Sequence, residues 1–186
     1  MLYDLVLRNR SYRRFDESFE ISRDTLVSLC EYARVSPSAA NRQSLRFLLI
    51  NSKDGCEKVF SNIAWAGYLK NGAPDTGERP TSYIIILNDN SVWNGHPFDV
   101  GIAAQSILLA ASEKGLGGCM FASFKNEPLR QCFDIDENLE IKLVVAIGKT
   151  VEEVVIDEVK DGDIKYWRDE DRVHHVPKRP ISEIVL

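Results

Sequence analysis

A chain of 186 residues with 23 Lys and Arg against 28 Asp and Glu carries a formal net charge of −5, which excludes the broad basic field that drives binding to nucleic acid or anionic membranes. With 44% hydrophobic and 27% charged residues, the composition is that of a globular protein, long enough to bury a sizeable core as a single domain spanning 1–186. No window approaches the ~20 apolar residues of a membrane-spanning helix, so a cytoplasmic location is the simplest expectation.

In chain order, Leu2 to Val6 carry a helical apolar pattern that ends in the basic cluster Arg8, Arg10, Arg13 and Arg14. Ser22 is the natural N-cap of a helix whose Leu26, Leu29, Cys30 and Ala33 follow the i, i+3, i+4, i+7 spacing of a buried face, and that helix should stop near Ser36-Pro37. The polar, turn-rich segment from Ser36 to Ser44 then leads into Phe47–Ile50, short enough to be a buried strand. Gly, Pro and charge between Gly67 and Pro80 read as a loop able to wall a cleft, ahead of the strand Tyr83–Leu87. From Asp99 to Lys114 apolar and small residues cover nearly every side of a helix, which marks it as central. Gly115 stands where a left-handed helix cap is expected, Cys119 to Phe121 form a short strand, Asn126 is the candidate N-cap of a further helix, and Leu143–Ile147 supply a last apolar strand ending at Gly148. The charged tail from Glu152 is spaced too irregularly for an element and reads as a surface wrap. Strands and helices in this order make an α+β protein.

Chemistry-bearing residues are few. Cys30, Cys56, Cys119 and Cys132 are scattered, without metal-ligand spacing, and read as reduced thiols; His96, His174 and His175 form no ligand set with them. No nucleophile, base and orienting carboxylate group together as in a hydrolase. Arg10-Ser11-Tyr12-Arg13 is a compact set of anion donors that could grip a phosphate, or equally a solvated helix end. Ser38, Asn41 and Gln43 could read the polar edge of a heterocycle, or satisfy their own turn. Gly115-Leu116-Gly117-Gly118 follows a helix rather than a strand and lacks the GxGxxG spacing, so the glycines serve a helix stop and a tight approach into the next strand rather than a dinucleotide. Lys178-Arg179 is a second cationic pair in the tail.

Four segments in order resemble the nitroreductase-like family over nearly the whole chain. Arg10 to Phe15 is similar to its RRSxRxF signature, Ser36 to Phe47 to its PSxxNxQPWxF segment, Asp99 to Phe121 to its DxGxAxQxxLLAAxxxGLGxC stretch, and Val144 to Lys149 to its strand with a GxP ending. The resemblance implies an α+β fold with a central, mostly antiparallel sheet flanked by helices and one long central helix. It also implies an FMN cofactor, NAD(P)H as reductant, a small organic acceptor such as a nitroaromatic or quinone, and a homodimer with shared flavin sites. Residue by residue, it assigns Arg10, Ser11 and Arg13 to the phosphate, ribityl chain or ring edge, and Lys178 and Arg179 to a phosphate clamp. It assigns Pro37, Ser38, Ala39, Asn41 and Gln43 to the loop that meets the partner subunit's flavin, and Met120, Phe121, Ala122 and Ser123 to the chain running beside the central ring. Relatives with specialised activities include reductive dehalogenases and flavin-degrading enzymes. The chain departs from the pattern at Asn9, where an arginine is usual, at Ser44-Leu45 in place of Pro-Trp, and at Thr150 in place of proline.

Overall fold

The computed structural model describes residues 1–186. Its helices are α1 (Leu2–Arg8), α2 (Arg23–Arg34), α3 (Lys53–Phe60), α4 (Pro97–Glu113) and α5 (Asn126–Phe133), and its strands are β1 (Leu45–Ile50), β2 (Ser82–Asp89), β3 (Gly117–Phe121), β4 (Leu139–Gly148), β5 (Val154–Glu158), β6 (Trp167–Arg168) and β7 (His174–Lys178). The main sheet runs β1-β2-β4-β3 and every pairing in it is antiparallel.

The sheet is buried on both sides because β2 and β4 are apolar at consecutive positions. Strand alternation sends Ile84, Ile86, Val145 and Ile147 to one face, where they pack with Leu26 and Leu29 of α2 and Ala104, Ile107 and Leu108 of α4. Tyr83, Ile85, Leu87, Val144 and Ala146 go to the other, against Val59 of α3 and Leu129 of α5. Ile84, Ile85, Ile86 and Ile147 are fully buried, each contributing roughly 1.5–3 kcal/mol. The one irregularity between these strands is a register shift at Ile86/Leu87.

Most boundaries follow the sequence signals. Ser22 caps α2 by accepting the Thr25 N–H at 3.1 Å, and Gly115 adopts φ +71 after α4. Helix α3 has no counterpart among the expected elements, although Ser52 caps it by accepting the Gly55 N–H at 3.2 Å. Asn126 is the first helical residue of α5 rather than its cap, since Lys125 takes the cap position without a side-chain hydrogen bond. The tail is more ordered than a surface wrap: β5 pairs in parallel with β7, and β6 pairs antiparallel to β7. No helix is long and apolar enough to cross a membrane.

Candidate functional site

The outer strand β3 is where the expected site residues converge. Gly118 forms a parallel bridge with Ser11, and its carbonyl accepts the Tyr12 N–H at 3.0 Å, so residues 10–13 run alongside the start of β3. At the far end Ile63 bridges Phe124, and the Ala64 N–H donates to the Ser123 carbonyl at 2.9 Å. Between these two covers the edge is open. Backbone groups of alternate strand residues point the same way, so the Met120 N–H and C=O face outward as those of Gly118 do. Met120, Ala122 and Ser123 are exposed here, while the Phe121 ring turns inward against Trp65, 4.7 Å away.

Glycine is required where β3 starts. A Cβ on Gly118 would lie 2.1 Å from the Ala146 carbonyl oxygen, and one on Gly117 would lie 2.6 Å from the Tyr12 ring. The absence of side chains lets the N-terminal segment and β4 close on β3 from both sides.

Cations gather at the Ser11 end. Arg13 is buried, and its Nη1 donates to the Ser11 carbonyl at 3.2 Å. Arg10 is half-buried and donates through Nη2 to the Val6 carbonyl at 2.8 Å. The Nε atoms of both arginines, and Nε1 of Trp65, are buried donors without an acceptor in the chain. Three unpartnered donors on residues that flank β3 suit a ligand rich in acceptor oxygens and ring nitrogens. Asn9 is buried and donates to Gln105 Oε1 at 3.4 Å, and Arg8 beside it is exposed. Burial pushes the Cys119 thiol up, against the pull of the Arg13 charge, which leaves it protonated and unsuited to nucleophilic attack.

The tail supplies residues that sequence reasoning missed. Glu152, wholly buried, accepts the Arg13 backbone N–H at 2.7 Å and Arg168 Nε at 3.1 Å. His174 lies 3.4 Å from Arg13 Nη1, and the Tyr166 ring centre lies 4.9 Å from the Arg13 guanidinium carbon. Tyr166 also meets Tyr68, their centroids 5.0 Å apart, which brings the 67–80 loop to the same place. That loop is latched: Arg14 chelates Glu78 through two nitrogens, and Arg172 reaches both Glu78 and Asp75. The hydrogen bonds from Arg14 hold the Glu78 carboxyl below the usual range. No spacing rule links Arg13 to partners more than a hundred residues away, and none could have found them.

Other expected residues lie elsewhere. Pro37, Ser38, Ala39, Asn41 and Gln43 form a loop at the start of α4, where Asp99 Oδ1 accepts the Ala39 N–H at 2.9 Å and a cavity of about 200 Å³ opens beside Pro37, Ser38 and Gln43. Ala40, Asn41 and Gln43 all have positive φ, at 48, 52 and 52°, a cluster of strain of the kind held at binding sites. No hydrogen bond or ion pair joins this loop to Arg10, Ser11, Arg13 or β3. Lys178 ends β7, four residues or about 13 Å along the strand from His174, and Arg179 pairs with Glu183 at 2.9 Å. Neither touches Arg10 or Arg13.

Residues 6–149 match the family described as the Nitroreductase family. Similar proteins include YodC of Bacillus subtilis, provisionally named an NAD(P)H nitroreductase, 21% identical over 80% of this chain and 89% of its own length. The iodotyrosine deiodinase of Thermotoga neapolitana is 25% identical over 80% of this chain and 88% of its own. Among solved structures, a provisionally named nitroreductase of Exiguobacterium sibiricum in complex with FMN superposes with TM-score 0.72 at 17% identity, covering 100% of this chain and 96% of that one. A nitroreductase family protein of Streptococcus pneumoniae gives 0.70 at 14% identity, covering 100% and 99%. At such identities the superpositions show a common fold.

Proposed function

We propose, given that this chain belongs to the nitroreductase family, that it is a single-domain FMN-dependent oxidoreductase that uses NAD(P)H to reduce a small organic acceptor, such as a nitroaromatic or a quinone. The observation that carries this reading is the open stretch of β3 at Met120 and Ala122, flanked by the cations and unpartnered donors of Arg10 and Arg13.

The residues present fit FMN. Arg10, Ser11 and Arg13 would hold its phosphate, ribityl chain or ring edge through charge-assisted hydrogen bonds. The outward Met120 N–H would donate to the ring along the strand, with Ala122 and Ser123 beside it and Phe121 backing it from the core. Lys178 and Arg179 would clamp the phosphate, since 13 Å of strand is a span that a long side chain and an extended phosphorylated ligand can bridge together. Pro37, Ser38, Ala39, Asn41 and Gln43 make no hydrogen bond or ion pair with β3 within one chain. In the homodimer we propose, they meet the partner's flavin and complete the site.

When bound, the flavin would supply the redox chemistry, accepting hydride from the nicotinamide and passing electrons to the acceptor. The protein's part is positioning and electrostatics. Arg13 would offer a buried positive charge to the negative charge that reduction brings, the Met120 N–H would fix orientation, and the Tyr68–Tyr166 pair would narrow the approach. With one cleft along β3 for both substrates, nicotinamide would leave before the acceptor enters, and ping-pong kinetics are expected. The deiodinase relative favours one second reading, reductive dehalogenation in the same cleft.

The test is anaerobic stopped-flow on purified protein. A yellow, FMN-containing preparation should bleach with NADH or NADPH alone and regain colour with a nitroaromatic or quinone. Recovery with a halogenated phenol only would transfer the assignment to dehalogenation. A colourless protein that takes up no FMN on titration would refute the flavin reading, and bleaching absent with both nicotinamides would leave a binding protein without turnover.

A further inference from the structure

The cluster beneath Arg13 contains a histidine whose protonation pattern is dictated by its neighbours. His174 is 1% exposed, on β7 of the tail sheet. Its Nε2 is 3.4 Å from Arg13 Nη1, a long hydrogen bond, and its Nδ1 is 3.8 Å from Glu152 Oε1. A guanidinium only donates, so Nε2 must accept and the ring proton must sit on Nδ1, facing the carboxylate. The order is then Glu152 carboxylate, His174 Nδ1–H, His174 Nε2, Arg13 Nη1–H. At 3.8 Å the Glu152 carboxylate is beyond hydrogen-bond reach, so the Nδ1–H is buried without a partner and Glu152 acts on it through charge alone, while the contact with Arg13 decides the tautomer.

The surroundings hold the ring neutral. Burial, first of all, lowers the His174 pKa to about 4; Glu152 opposes this, while Arg13, Arg168 and His175 add to it. Tyr166 closes the remaining side, its ring centroid 5.4 Å from that of His174 and its face toward Arg13. Arg13 Nη1 thereby meets a neutral acceptor in His174, while the Glu152 carboxylate binds the Arg13 backbone N–H and Arg168 rather than the Arg13 guanidinium. Had a carboxylate stood in place of His174, the same guanidinium would be anchored but neutralised.

We propose that His174, held in its Nδ1–H tautomer by the donor-only Arg13 guanidinium, is a positioning residue that anchors that guanidinium without neutralising it and so sets the flavin affinity of the site. The inference rests on the flavin reading above and deepens it: the tail sheet is part of the binding site without touching the ligand.

The experiment is a double-mutant cycle on the full-length protein, with FMN dissociation constants measured from quenching of flavin fluorescence. His174→Leu keeps the volume and removes the acceptor, and His174→Gln presents an amide oxygen where Nε2 stood. His174→Leu should weaken FMN about tenfold, and His174→Gln by no more than about threefold. In the Arg13→Ala background His174→Leu should add less than about twofold, because a residue that acts only through Arg13 has nothing left to act on. Equal losses in both backgrounds, or equal losses for Leu and Gln, would show a general structural role and overturn the proposal. Imidazole 15N NMR on wild-type protein without flavin gives a second reading that survives any variant that fails to fold: the Nδ1–H tautomer is expected at neutral pH, and an Nε2–H tautomer or an imidazolium overturns it. Wild-type protein that binds no FMN removes the flavin reading and the affinity claim with it, and the tautomer still decides whether His174 accepts from Arg13.

Discussion

Acid should weaken this fold through His174 before most carboxylates titrate. Its folded-state pKa of about 4 lies below the 6.5 of a free histidine, chiefly through burial. Between those values the unfolded chain binds a proton that the native state refuses, so stability falls as the pH falls through 6.5 toward 4. At about 1.36 kcal/mol per pH unit, the interval amounts to about 3.4 kcal/mol, and about 2 kcal/mol of it is lost by pH 5. His175 works in the other sense. Burial pulls its pKa down, but hydrogen bonds with Asp169 and Asp157 outweigh that and raise it, so its contribution is present below 6.5 and lost as the pH rises through the folded-state value. The difference between wild type and His174→Leu cancels His175 and the carboxylates. Urea unfolding at pH 7.5 and pH 5.0 should give a wild-type loss about 2 kcal/mol larger than that of His174→Leu. Parallel losses in the two proteins would refute the assignment of a buried, neutral His174.

Gly118→Ala places a Cβ 2.1 Å from the Ala146 carbonyl, so β3 must separate from β4; a loss of about 3 kcal/mol or insoluble expression is expected, and a normal melting temperature would contradict the close approach. Glu152→Ala strands the Arg168 charge and the Arg13 N–H in a buried setting and should cost about 3–5 kcal/mol by urea unfolding. Ala40→Val puts a β-branched side chain at φ 48 and should cost roughly 1–2 kcal/mol, also by urea unfolding; an unchanged midpoint would mean that the loop relaxes out of the left-handed region.

The sequence reveals local periodicity well and long-range closure poorly. Ile84 to Leu87 reads as a doubly buried strand because the run is short, β-branched and preceded by a turn-rich loop, and the apolar wrap of Ile102 to Ala111 reads as a central helix because it is too long for a strand. Ser22 and Gly115 bracket their helices because caps act within one turn. Helix α3 escaped notice because Cys56 and Val59 give it only a short buried stripe. The tail strands escaped because Trp167, His174 and His175 carry no alternation of apolar and polar residues, and their order comes from buried charge instead. At the candidate site, the glycines before β3 could be read as a tight approach from their spacing, whereas Glu152, Tyr166 and His174 come together only through the fold.

The pairing of Arg13 with Glu152 and His174 spans 139 and 161 residues of chain. Contacts of such separation close late, after the main sheet has already reduced the entropy of the intervening loop. A growing chain on the ribosome would therefore complete its helices and central strands while Arg13 still moves freely, and would close the cluster around Arg13 only after residues 152–174 have emerged. A ligand that binds only the closed form would add its own free energy to the docking of residues 152–178, so that ligand supply would govern how long those residues stay exposed to proteases.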